Sequence, residues 1–398
     1  MKNNTKYKIP DTKYQARVRA LAGGYAVAEA WRQIHPDVMA VYPITPQTTI
    51  IETYAKMKAD GLVTTEIVQV ESEHSAMSAT VGASAAGVRA VTASSSQGIL
   101  YMAEILPVVS GLGLPVVMSV SSRALSAPLN IHGEHGDVMA VRDLGWVQIF
   151  AEQVQDAYDD TIIALKLAEE INAPVMPIMD GFHTSHTTER VEILSDEAVQ
   201  NFVGTRKAEQ SLLDFENPTT FGTLALQNTF FEFKIQQEKT MQKAKAAYKK
   251  ICSEFAKISG RKYAIFEEYQ LKDAQYAIVI MGATAGTAKD AVDALRAQGK
   301  KVGLLVVKLF RPFPYEEVGK ALAHIPKIAV LDRAISFGAY PPLYQDIVSS
   351  VYHSSSRKPD LASYIYGLGG RDTMQKDIEK VFKDLEDGEV LEKIKYLQ

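Results

Sequence analysis

The chain has 398 residues, 46% of them hydrophobic and 23% charged, which fits a soluble globular protein of two or three domains at about 100–200 residues each. A net charge of −4 leaves no electrostatic footprint for nucleic acid. The single cysteine, Cys252, excludes disulfides, a CxxC pair and a thiolate set for zinc or iron–sulfur ligation, so any electron transfer must use centres held by another chain.

Met1 to Gln15 is polar and lysine-containing, with no apolar core for a secretory signal or an anchor. From Val18 to His186, helix-like and strand-like segments alternate. Gly23 to Ile34 is an amphipathic helix, Val38 to Val41 a strand, Thr48 to Lys58 a helix and Thr65 to Val70 a strand. Ser75 to Ala86 is a helix of small residues, Arg89 to Ala93 a strand and Gly98 to Ser110 a helix. Strands at Pro115 to Val120 and Val147 to Phe150, a helix at Ala157 to Glu169 and a strand at Val175 to Met179 follow. This alternation predicts a parallel sheet covered on both faces. The apolar run from Ile99 to Val120 invites a membrane reading, but Glu104, Pro107 and Pro115 interrupt it. A buried helix followed by a buried strand explains it better than a span of about 20 unbroken apolar residues. A cytoplasmic protein with no membrane partner is expected.

Residues 190–262 break the pattern. Past Asn217 and Pro218, a long helix carries Met241, Ala244, Tyr248, Ile251, Phe255 and Ile258 on one face. Its lysines, Lys243, Lys245, Lys249, Lys250 and Lys257, read as a solvated face, and Cys252 as a small apolar filler. The segment reads as a bridge between domains. From Tyr263 the alternation restarts: strand Tyr276 to Met281, turn Gly282 to Gly286, helix Thr287 to Ala297 and strand Val302 to Phe310. Helix Pro314 to Ala323, strand Ile328 to Asp332 and helix Leu343 to Tyr352 complete it. The glycines of the turn lack G-x-G-x-x-G spacing, and Lys308 stands where a ribose-binding acid belongs, so a dinucleotide site is rejected. The expected division is 1–190, 191–262 and 263–398.

Two prolines, Pro43 and Pro46, stop the second strand and leave Thr45 at its carboxyl end, where open α/β sheets bind ligands. Arg123 follows another strand, and a guanidinium fork there suits a carboxylate; the competing reading is a salt bridge at a domain edge. Glu71 and Glu73 both stand at a helix start, an ordinary place for an acid. Ser94 to Gln97 either line the same cleft or cap a helix. His132, Glu134, His135 and Asp137 imitate a metal set but lie in a glycine-punctuated loop, and no metal is expected there. His183 and His186 read as loop residues.

Taken in order, several motifs identify a likeness. They are Tyr42–Pro46, Glu71–Ser75, Gly82–Gly87, Ser94–Gly98, Arg123–Ile131, His135–Asp137, Arg142–Asp143, Asp180–Phe182 and Arg311–Pro314. Together the chain resembles the α subunits of the 2-oxoacid:ferredoxin oxidoreductases, most of all the pyruvate branch. The resemblance implies an α/β protein with a thiamine-diphosphate-type pyrimidine-binding domain and a transketolase C-terminal-like α/β domain, both with largely parallel sheets. It implies thiamine diphosphate shared with a β subunit that carries the diphosphate-binding domain; the Gly-Asp-Gly signature of that domain is missing here. Magnesium and iron–sulfur (4Fe-4S) clusters would then sit on partner chains. The β, γ and δ subunits and ferredoxin would be the partners, and coenzyme A the co-substrate. By motif register Glu73, not Glu71, would be the carboxyl that contacts N1′ of the aminopyrimidine and activates the cofactor. Thr45 and Arg123 would be catalytic contacts to the 2-oxoacid, and Ser96 would bind cofactor. His183, where the family often carries arginine, would have no clear part. The implied activity is oxidative decarboxylation of a 2-oxoacid, pyruvate first, to acetyl-CoA, CO2 and reduced ferredoxin. A branched-chain or 2-oxoglutarate enzyme, or a non-catalytic scaffold subunit, are the alternatives.

Overall fold

The computed structural model describes residues 17–354, 358–388 and 394–397; the polar start, Met1 to Gln15, lies outside them. Chain order in the first region is β1 (Arg17–Ala22), α1 (Gly23–Ile34), β2 (Val38–Val41), α2 (Thr48–Ala59), β3 (Glu66–Gln69), α3 (Glu73–Ala85) and β4 (Ala90–Ser94). Next come α4 (Gln97–Met102), α5 (Leu106–Gly111), β5 (Val117–Ser122), α6 (Gly136–Ala140), β6 (Val147–Phe150), α7 (Val154–Ile171) and β7 (Val175–Asp180). The middle holds β8 (Thr188–Ile193), α8 (Asp196–Val203) and α9 (Phe230–Ser259). The last region runs through β9 (Phe266–Tyr269), β10 (Tyr276–Ile280), α10 (Thr284–Ala297), β11 (Val302–Val307), β12 (Leu309–Arg311) and α11 (Tyr315–Leu322). It closes with β13 (Lys327–Asp332), α12 (Pro342–Ser354), β14 (Asp360–Tyr366), α13 (Gln375–Asp387) and β15 (Lys395–Leu397).

Two sheets result. The first has seven strands in the order β12-β6-β7-β5-β4-β2-β3, parallel except for β12 at its edge. The second has six, β15-β14-β13-β10-β11-β9, parallel except for β9. Central strands such as β5 and β11 are buried along their whole length, as strands covered on both faces must be. The α/β class with largely parallel sheets is thus as expected.

Several expectations need correction in detail. Gly98 to Ser110 is not one helix: α4 stops and α5 starts afresh with Pro107 in its first turn, because proline has no N–H for the preceding turn. Val302 to Phe310 is not one strand either. It breaks at Lys308, and β11 stays in the second sheet while β12 crosses to the edge of the first. The break is fastened by the Lys308 ammonium, which is buried and 2.5 Å from Asp156 of α7. The helix expected to begin at Thr287 begins at Thr284. The antiparallel pair β1–β8, a separate two-stranded sheet, went unforeseen.

The long helix α9 lays Ala244, Tyr248, Ile251, Cys252 and Phe255 into the core shared with α1 and α7, while Ile258 stays exposed. Burial pushes the Cys252 thiol up to about 12, which suits a filler and not a nucleophile. Its lysines are not all free in solvent: Lys245 and Lys249 both reach Glu317 of α11, at 3.0 and 2.8 Å. A second core is common to both sheets and joins Met118, Phe150 and Met176 to Val279, Leu305 and Val330. No described helix is long and apolar enough to cross a membrane.

Candidate active site

The carboxyl ends of β2, β4 and β5 converge because neighbouring parallel strands point the same way. The chain leaves β2 through Tyr42–Pro46, with Thr45 exposed and a cis bond to Pro46. It leaves β4 through Ser94–Ser96 and β5 through Arg123. Glu73 reaches the same end from α3, whose first turn it opens after the Ser72 cap.

Glu73 and Glu71, two residues apart, live in different environments. Glu71 is exposed and accepts the hydroxyl of Ser75, which lowers its pKa. Glu73 is 7% exposed, and burial raises its pKa. Apart from its own amide, no described group hydrogen-bonds its carboxyl. The carboxyl instead lies against the start of α4, where a Cβ on Gly98 would stand 2.7 Å from Glu73 Oε1 and 2.5 Å from Ser94 Oγ. Only glycine allows that approach. The Ser94 hydroxyl is itself buried without a partner. A buried acid and a buried hydroxyl left unmatched side by side are costly unless something else engages them. An aminopyrimidine, which offers ring nitrogens and an amino group on an apolar ring, has the donor and acceptor set that these groups lack. The residues present therefore fit the pyrimidine half of thiamine diphosphate.

Arg123 is 6% exposed and touches Thr45 directly: its Nη1 donates to the Thr45 carbonyl at 2.9 Å, and its Nε to the Asn130 carbonyl at 3.0 Å. Among the described residues no carboxylate forms an ion pair with its guanidinium, so the domain-edge salt bridge is not formed; Asp137 meets only its main-chain amide. Burial lowers the pKa of this guanidinium, and the nearby Asp137 charge offsets that only in part, which marks a cation without a counter-ion in contact. Thr45 contributes its main chain to holding Arg123, while its own side chain is exposed beside it.

Ser96 sits deeper than the cleft. It is fully buried with φ +52°, and its hydroxyl lies 2.5 Å from the Ala124 carbonyl and 2.6 Å from Gln97 Oε1. What it offers is the placement of the Gln97–Gly98 turn. Its amide and that of Arg123 both donate to Asp137 Oδ2, at 2.8 and 2.9 Å. Asp137 also takes the Ser122 hydroxyl at 2.6 Å and the Val138 amide at 2.8 Å on Oδ1. This fully buried carboxylate clamps the ends of β4 and β5 together; in the sequence it showed only as one acid in a glycine-rich loop. Burial pushes it up and the four bonds pull it down.

The other candidates fall into structural places. His135 bonds Asp180 at 2.7 Å and Arg333 reaches the same oxygen at 3.0 Å, all three buried. Asp180 Oδ2 accepts the Ala283 amide at 2.6 Å, filling the Gly282 turn with a carboxylate of the first sheet. Gly282, at φ +77°, could not carry a Cβ there, since it would lie 2.4 Å from that oxygen. His183 faces Arg333 at 3.2 Å, with its pKa lowered by burial and by that cation; His186 stacks on Phe182.

Two family models match the chain: "Pyruvate flavodoxin/ferredoxin oxidoreductase, thiamine diP-bdg" over residues 29–253, and "Pyruvate:ferredoxin oxidoreductase core domain II" over residues 274–378. Among similar proteins, the pyruvate synthase subunit PorA of Thermotoga maritima is 50% identical over 374 residues, covering 94% of this chain and 95% of that protein. The ketoisovalerate oxidoreductase subunit VorA of Pyrococcus abyssi is 40% identical over 373 residues, with 94% of each covered. A solved structure, the 2-oxoglutarate:ferredoxin oxidoreductase from Magnetococcus marinus, matches with a TM-score of 0.70 at 20% identity, over 92% of this chain and 65% of that one. At that identity the likeness is one of fold. A split-gene transketolase matches with a TM-score of 0.54 over 92% of this chain and 98% of that one, and likewise speaks only to fold.

Proposed function

The chain belongs to the pyruvate flavodoxin/ferredoxin oxidoreductase family, and from that premise we propose that Glu73, Thr45 and Arg123 form the cofactor-activating and substrate-holding half of its active site, with pyruvate as the 2-oxoacid. It is an oxidoreductase subunit with a thiamine diphosphate-binding domain, and it works with partner subunits. The observation that supports the site most strongly is a pair of buried groups at one end of one sheet: a carboxyl that no other described residue bonds and a guanidinium with no described carboxylate in contact.

Bound, thiamine diphosphate supplies the acidic ring carbon on which a 2-oxoacid loses CO2. Glu73 would hold N1′ of the aminopyrimidine by sharing a proton with it. A carboxyl whose pKa burial has raised is suited to sharing that proton near neutral pH. Arg123 has Nε and Nη1 committed to carbonyls, which leaves Nη2 to face the substrate carboxylate, with the Thr45 hydroxyl beside it. Ser96 takes part by setting the turn that places Gly98 against Glu73. With no cluster ligands among its own thiols, the chain would rely on iron–sulfur clusters of γ and δ subunits. The diphosphate and magnesium would fall to a β subunit, and coenzyme A would take the acyl group. We place the assembly in the cytoplasm.

The test is to purify the chain alone and within its complex, and to assay a panel of 2-oxoacids with coenzyme A and ferredoxin. Alone it is expected to be colourless and inactive; in the complex pyruvate should lead. Turnover by the isolated chain overturns the shared site. Preference for a branched-chain acid, the reading that the VorA relatives support, overturns the substrate assignment alone.

A further inference from the structure

Thr45, Glu73 and Arg123 all gather at the carboxyl end of the first sheet, yet the loop that orients Arg123 is fastened to the last region of the chain. With no described carboxylate in contact, the guanidinium takes its direction from two carbonyls, those of Thr45 and Asn130. Asn130 is itself anchored. Its Nδ2 donates to the Gly369 carbonyl at 3.0 Å, and its Oδ1 accepts the His132 amide at 2.7 Å. Gly369 returns the contact, its amide donating to Glu134 Oε2 at 3.1 Å. From the other side Arg333, already paired with Asp180, donates Nε to the Gly367 carbonyl at 3.2 Å.

The turn that receives the loop is built for close approach. Gly367, Gly369 and Gly370 have φ of +60°, +61° and +80°. A Cβ on Gly369 would stand 2.5 Å from Asn130 Nδ2, and one on Gly370 would stand 2.3 Å from His132 Cβ. Backbone conformation and lack of space both demand glycine here.

We propose that the Gly367–Gly370 turn, with Asn130 and Glu134, is a positioning latch for Arg123, through which the last region of the chain sets how firmly the 2-oxoacid carboxylate is held. The latch touches neither substrate nor cofactor, and it rests on the reading of Arg123 as the carboxylate contact. Asn130→Asp tests it in the complete complex, because it keeps the size and the acceptor for His132 but sets a carboxylate against the Gly369 carbonyl. The expected result is a KM for the 2-oxoacid raised about tenfold with kcat within about twofold, the scale of one hydrogen bond turned unfavourable. Amide hydrogen exchange over 124–132 should quicken, while C2–H exchange of bound cofactor stays as in the wild type. Glu134→Gln, which keeps an acceptor for Gly369, should retain the wild-type KM. Glu134→Ala should raise it, and reads the latch by itself if Asn130→Asp does not assemble. A quickened loop with unchanged KM, or no change in exchange, overturns the latch. Arg123→Ala measured alongside separates the two readings. If it too leaves KM and kcat/KM unchanged, the assignment of Arg123 fails and the latch with it; if it alone disturbs them, only the latch fails.

Discussion

In the seven-stranded sheet the segments after β2, β4 and β5 present Thr45, the Gly98 turn beside Glu73, and Arg123. In the six-stranded sheet the equivalent places after β10 and β13 are filled from within the chain. Asp180 occupies the Gly282 turn at the start of α10, and Arg333 turns back onto Asp180. Asp332 spends its carboxylate on the amides of Leu343 and Tyr344 at the start of α12, at 2.8 and 3.1 Å. Both sheets offer the carboxyl ends at which α/β folds bind ligands. Among the described residues, the first sheet keeps there an acid bonded by no other residue and a guanidinium with no carboxylate in contact. The acids at the second sheet are bonded by amides, His135 or Arg333. Position on the fold nominates a site; unmatched chemistry selects it.

The sharpest way to break this comparison is at Glu73. Glu73→Gln keeps the shape and removes the shared proton, so C2–H exchange of cofactor in the complex should slow by about 100-fold or more, the scale of acid–base catalysis. Glu71→Gln, on an exposed carboxylate, should leave it unchanged; the reverse pattern would move the site to the wrong side of α3.

At the closed sheet the expected loss is in stability. Asp180→Ala leaves Arg333 and His135 buried without their acceptor, and breaking such a pair costs about 3–5 kcal/mol. Urea unfolding of the complex should show it, with C2–H exchange unaffected in the protein that stays folded. Asp180 is held well below the usual carboxylate range despite its burial, chiefly by His135 and Arg333. Its contribution is therefore complete above the ordinary Asp pKa and is lost only as pH falls through its depressed folded value. Loss of its contribution at neutral pH would refute that ordering.

Arg123→Ala should lower kcat/KM for pyruvate by tens to thousands-fold, from the about 2–5 kcal/mol that truncating one partner of a buried charge pair costs. Arg123→Lys should recover little, since an ammonium cannot hold the Thr45 and Asn130 carbonyls and a substrate carboxylate in one plane. Normal kcat/KM in the alanine variant would make Arg123 a structural residue, like Arg333.

The mildest test is Asp332, whose pKa burial pushes up to about 7. A carboxyl raised above its unfolded value binds its proton more tightly in the fold, so stability declines as pH rises from the ordinary Asp range through about 7. Asp332→Asn should flatten that decline in melting temperature against pH. An unchanged slope would mean that the two amides hold the carboxylate charged.

Local pattern alone placed much of the architecture. The apolar runs of β2 and β6 and the periodicity of α1 show their ends in the sequence, because each buries a face that composition reveals. The motifs likewise brought Thr45, Glu73 and Arg123 forward before any contact was seen. The unforeseen elements are those whose partners are distant. Strand β1 pairs with β8, Arg17 opposite Ile193, with no local turn to announce it. The run from Val302 to Phe310 is apolar throughout except for Lys308, and only Asp156, far back on α7, makes that lysine the point where the chain changes sheets.

Residue types and their order thus determined the α/β class, the family motifs and a chain with a single cysteine. The tertiary structure decided which of two nearby glutamates is buried and unpaired, why Arg123 lacks a counter-ion, and that Asp137 and Asn130 govern the two ends of its loop. Those are properties of what surrounds a group: desolvation and hydrogen-bond matching depend on atoms brought together from β2, β4, β5 and the Gly367–Gly370 turn, and adjacency in sequence does not supply them.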